Sequence, residues 1–121
     1  MYFRCEGFGG TPVWYVCTDS ARCRYGFGVK PNVSGTFGTD SKQSWQIEWR
    51  GPKQKGVLKP VAIILRLSSL DKNPPNKLYV YRLRSDGTSC IVGEATTNSA
   101  ARLIADRAAG NYQCEVEPQR L

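Results

Sequence analysis

Along much of the chain apolar and polar residues alternate one for one, the pattern of strands with a single buried face. It is clearest in Ser44–Arg50, SWQIEWR, where Trp45, Ile47 and Trp49 share one face and Gln46, Glu48 and Arg50 the other. The first face is expected to be buried and the second wet. Tyr2–Phe8 alternates too and runs into a turn at Gly9–Pro12. Val61–Leu65 is apolar on both faces, which suggests a central strand. Lys77–Arg84 and Thr88–Thr96 flank Ser85–Gly87, Ser-Asp-Gly, and so read as a hairpin. Gly51–Gly56 and Asp71–Asn76 are turns by composition, and Lys30–Gln43 is a long polar loop.

Trp14–Gly28, WYVCTDSARCRYGFG, also folds on paper as a hairpin, with Thr18–Arg22 as its loop. Cys17 then stands opposite Cys23, Tyr15 opposite Tyr25 and Val13 opposite Phe27. Period-two alternation puts all six on one face, and facing cysteines are close enough to bridge. A Cys17–Cys23 staple closes a small ring and stabilises by about 2 kcal/mol in the loop-entropy picture.

One stretch has helical spacing. In Asn98–Gly110, Ala100, Leu103, Ile104 and Ala108 form an apolar stripe, Asn98 is a suitable cap and Gly110 a suitable stop. Arg102, Asp106 and Arg107 fall on the wet side, and Asn111–Pro118 is a tail or last strand. The expected architecture is α+β: a mainly antiparallel, curled sheet with one helix from the C-terminal half packed on it. No repeat or composition break divides the chain, so residues 1–121 form a single β-rich domain.

Composition narrows the surroundings. The chain carries 17 basic and 10 acidic side chains, net +7. A basic protein favours anionic partners, although dispersed charge also serves solubility. No apolar run approaches the roughly 18 residues of a membrane-spanning helix, since Arg66 interrupts Val61–Leu67. No signal peptide is visible, so either the protein stays inside the cell or a signal precedes the abrupt opening, MYFRCEGF, which reads as a mature start behind Met1.

The chemistry-bearing residues exclude more than they assign. There is no histidine, which removes imidazole bases, Ser–His–Asp triads and Cys–His pairs. The five cysteines contain no C-x-x-C pair, so neither a zinc site nor any other metal or cofactor is expected. Glu6, Asp40, Glu48, Asp71, Asp86 and Glu94 make no pattern suited to acid–base work, and no catalytic residue is assigned. Gly7–Pro12, GFGGTP, lacks the spacing of a phosphate loop and reads as a turn. A second disulfide is expected between Cys5 and Cys114, joining the ends of the domain, with Cys90 left as a buried thiol; sequence alone does not choose among the pairings. Stable bridges imply a periplasmic or extracellular location.

Two basic features remain. Arg50, Lys53, Lys55 and Lys59 lie in RGPKQKGVLK without an acid among them. Arg82 and Arg84 share a strand face, opposite Tyr79 and Tyr81, whose face is expected to be core. These six residues are the candidate anion- or partner-binding set.

The segments FRCEGFGGTPV, EWRG, PVAIILR, SCIVG, ATTNSAARLIADRAA and YQC resemble small exported proteobacterial proteins of unknown function. The similarity covers most of the chain and is weakest over Ser20–Gln43. It implies export, and cysteine at positions matching Cys5, Cys90 and Cys114, which leaves open whether Cys90 rather than Cys5 partners Cys114. It implies no reaction. The expected function is therefore that of a non-catalytic binding module of the envelope or exterior, whose partner is a protein or an anionic envelope ligand. One alternative is an inhibitor of an envelope or extracellular hydrolase, acting through Lys30–Gln43 or Gly51–Lys59. Another is an intracellular nucleic-acid or nucleoprotein binder that uses the basic set.

Overall fold

A computed structural model describes residues 2–8, 11–19, 22–28, 34–38, 44–68, 75–84, 89–111 and 119–120. In chain order the strands are β1 (Tyr2–Glu6), β2 (Pro12–Asp19), β3 (Arg22–Phe27), β4 (Ser34–Gly38), β5 (Ser44–Arg50), β6 (Lys53–Gln54), β7 (Val57–Leu58), β8 (Ala62–Ser68), β9 (Asn76–Leu83) and β10 (Ser89–Ala95). Helix α1 (Asn98–Asn111) and the short strand β11 (Gln119–Arg120) follow. The fold is α+β, and among the described residues every strand pairing is antiparallel except that of β11 with β10.

The strands form two sheets, ordered β1-β2-β3-β4 and β11-β10-β9-β8-β5, with β6 and β7 making a separate hairpin. In the first sheet Val13, Tyr15 and Cys17 stand opposite Phe27, Tyr25 and Cys23, the register that alternation predicts. β4 lies inside the expected polar loop: Gly-rich SGTFG has weak strand propensity, but it pairs along one side with β3.

In the second sheet β8 and β9 are central, and their two faces meet different neighbours. Ala62, Ile64, Leu78, Val80 and Val92 pack beneath Ala101, Ile104 and Ala105 of α1. Ile63, Leu65, Leu67, Tyr79 and Tyr81 face Val13 and Phe27 of the first sheet. Complete burial of a side chain such as Ile104 stabilises by about 1.5–3 kcal/mol, and Ile104 is fully buried.

Two expectations about α1 are corrected. Its buried stripe is Ala101, Ile104 and Ala105, with Leu103 left 47% exposed. The helix is rotated so that the narrow alanines rest on the sheet. Thr97 rather than Asn98 is the cap: its Oγ1 accepts from the Ala100 N–H at 3.2 Å and its carbonyl from the Ala101 N–H at 3.1 Å.

Ser89 joins the two sheets. It is fully buried, its Oγ donates to the Phe27 carbonyl at 2.7 Å, and it accepts from the Phe27 N–H at 3.3 Å. Phe27 itself sits edge-on to Tyr81, with ring centroids 4.8 Å apart, and to Trp49 at 6.2 Å. The tail expected at Asn111–Pro118 lies, apart from the end of α1, outside the described residues.

Candidate functional site

β5 ends at Arg50, and the chain then turns out into the β6–β7 hairpin before entering β8. The base of this excursion is clipped twice. Lys59 N–H donates to the Pro52 carbonyl at 2.9 Å, and Val61 N–H to the Arg50 carbonyl at 2.8 Å. Gly51 lies against the Lys59 carbonyl, where a β-carbon would collide with backbone. At the tip, Lys55 and Gly56 both have positive φ, 53° and 78°. A two-residue turn of that hand matches the twist of its strands. Glycine takes the conformation without strain, while lysine does so at about 1–2 kcal/mol.

The hairpin is therefore short, regular and tied at its root. Pro52, Lys53, Gln54, Lys55, Gly56, Val57 and Lys59 are exposed, and Val57 presents 62% of its surface. Leu58 turns inward and, with Trp49, Val61 and Ala105, lines a groove of about 390 Å³.

The six candidate residues collect at one end of the second sheet: Arg50 closes β5, the hairpin follows it, and Arg82 lies in register with Ala62, which itself faces Arg50. Their environments differ. Lys53, Lys55 and Lys59 are exposed, whereas Arg50, Arg82 and Arg84 are half-buried. The Nε of Arg84 is buried without a hydrogen-bond partner among the described residues.

Arg50 is engaged within the fold. Its Nη1 donates to Glu48 Oε2 at 3.0 Å, and its Nη2 and Nε to Asp106 Oδ1 at 3.2 and 3.3 Å. Arg102 closes on Glu48 with two bonds, Nη2 to Oε1 at 2.8 Å and Nε to Oε2 at 3.1 Å. On the face of β5 expected to be wet, Gln46 is exposed, while Glu48 and Arg50 are half-buried and paired with charges of α1. The hydrogen bond from Arg102, assisted by that from Arg50, holds the Glu48 carboxyl below its ordinary value against the opposing effect of burial. Glu48 in turn raises Arg102. This bridge was legible only as two separate signals: Glu-x-Arg on a strand and Arg-x-x-x-Asp on a helix.

The bridge also disposes of its carboxylates, since Glu48 and Asp106 both accept from Arg50. Beside it a second groove of about 490 Å³ is lined by Gln46, Glu48, Arg66, Asn98 and Arg102 over Ile64 and Leu78. Among the described residues no three of His, Cys, Asp and Glu come together as a metal-holding group.

Of the candidate disulfide residues, Cys17 and Cys23 are register partners and Cys5 faces Val13; their side chains, and Cys114 altogether, lie outside the described residues. Cys90 corrects an expectation. It is buried in the layer beneath α1 and is disulfide-bonded rather than a leftover thiol. Its partner sulfur is outside the described residues. Among the described residues no helix is long and apolar enough to cross a membrane. Comparison with known proteins finds no matching family, curated protein or solved structure.

Proposed function

We propose that this chain is a small exported, disulfide-stabilised interaction module that engages a protein partner through the β6–β7 hairpin. The observation that carries this reading is the hairpin itself: a pre-formed turn, fixed at its base, holding Lys53, Lys55 and Val57 out from the body. Ordering such a loop in advance lowers the entropic cost of binding. An exposed valine between cations suits a partner surface with an apolar spot and an acidic rim. Inhibition of an envelope or extracellular hydrolase is the narrower form of the same reading, with the hairpin as the inserted element.

The engagement of Arg50 by Glu48 and Asp106 weighs against the polyanion alternative, which loses a member of its basic set. Export is supported by the bonded state of Cys90, the facing of Cys17 and Cys23, and the resemblance to small exported proteins.

The test is a photo-reactive amino acid at Val57 in cells that export the protein, with the same probe at Arg107 as control. The expected result is a discrete protein adduct from position 57 only, abolished by combining K53E and K55E. Equal labelling from both positions, or tight and steeply salt-dependent binding to DNA in place of an adduct, would overturn the reading.

A further inference from the structure

The five-stranded sheet has two unlike edges. β11 closes one with two residues. β5 closes the other with seven, and its pairing to β8 has no register shift, unlike the β9–β10, β2–β3 and β3–β4 pairs. Among the described residues no strand pairs with the outer side of β5. Natural edge strands are normally blunted by shortness, lysine, proline or a bulge. SWQIEWR runs seven residues with no lysine, proline or register shift, and its two charges, Glu48 and Arg50, are paired with α1.

The direction of its free backbone groups follows from one bond. The Arg50 carbonyl accepts from Val61, so the peptide groups of Arg50 face β8. Sidedness alternates along a strand, so those of Glu48 and Gln46 do likewise, and those of Trp45, Ile47 and Trp49 turn outward.

Read about Ile47, the strand is nearly palindromic: Gln46 answers Glu48, Trp45 answers Trp49 and Ser44 answers Arg50. We propose that β5 pairs antiparallel with β5 of a second copy, about a two-fold axis at Ile47, so that the sheet continues across a homodimer. This register exchanges hydrogen bonds between the outward peptides. It sets Ile47 beside Ile47 and Trp45 beside Trp49, and it places no like charges opposite one another. The contact is isologous and closed, and it consumes both exposed edges.

Sedimentation equilibrium of the intact, oxidised chain tests this. The wild type is expected to be dimeric. Ile47→Pro removes the central outward N–H while sparing the bonds to β8, and it is expected to give a monomer. Gln46 is exposed, so its replacement leaves the core alone. Gln46→Glu puts two carboxylates opposite each other twice per dimer and weakens association about fivefold, whereas Gln46→Lys tightens it by a similar factor. If the proline variant does not fold, the opposite responses of the two Gln46 variants still decide. A chain monomeric at every concentration, one that pairs only with a strand of another protein, or a dimer indifferent to these substitutions overturns the proposal.

Discussion

The two faces of the five-stranded sheet are buried by opposite means. Under α1 the contact is aliphatic and narrow, built on Ala62, Ala101 and Ala105 around Ile104. On the other face it is broad and aromatic, with Phe27, Tyr79 and Tyr81 buried and Trp49 at the margin. Here alanines flank Ile104 at the line of contact with the helix, while the two facing sheets, about 10 Å apart, are filled by large side chains. On the aromatic side Ser89 satisfies the buried backbone of Phe27 where the two sheets meet.

Truncation on the aromatic face should have the largest effect. Phe27→Ala opens a cavity against Tyr81 and Trp49 and is expected to cost about 3–5 kcal/mol by chemical denaturation. Overfilling should be worst under the helix: Ala101→Leu is expected to cost about 1–3 kcal/mol, against less than about 1.5 kcal/mol for the volume-conserving Leu67→Met on the opposite face. Equal costs for these two would erase the contrast between the layers. Ser89→Ala should cost about 1–2 kcal/mol, because it strips the Phe27 N–H and carbonyl of a partner inside the core.

Smaller effects appear as pH dependence. Burial, aided by the charge of Glu94, pushes the Tyr79 hydroxyl up to about 12. A raised acid stays protonated in the fold after it ionises in the unfolded chain. Stability is therefore full below pH 10 and is lost as pH rises from there toward 12. Ultraviolet titration should show a late tyrosine that is lost in Tyr79→Phe. Glu48 has the opposite sign. Its lowered carboxyl contributes stability above the unfolded carboxylate value, and this is lost as pH falls through the folded one. Glu48→Gln should flatten the acid limb of the stability profile, with the difference from wild type vanishing at the acid end. Because solvent still reaches and screens these half-buried groups, this is the smallest effect.

The basic hairpin shows how far local reading reaches toward a site. Lys53, Lys55 and Lys59 could be picked out because they stand in a turn without acids, and the structure leaves them exposed. Arg50 belonged to the same run, yet it is held by Asp106, more than fifty residues away. Nothing near Arg50 announces that partner.

Alternation and turn chemistry act between neighbours, so the sequence by itself determined which residues share a strand face, where most strands lie, and the Cys17–Cys23 register. It likewise determined that β8 would be covered on both sides. What covers each face is a long-range matter, and only the tertiary structure decided it. Docking rotated α1 so that Ala101, Ile104 and Ala105 rather than Leu103 are buried against Ala62, Ile64, Leu78 and Val92. Docking also turned the polar face of β5 into an ion-pair bridge, recruited SGTFG to a sheet edge, and placed Cys90 in a disulfide. Each of these depends on groups far apart in the chain being brought together, and no local pattern encodes that meeting.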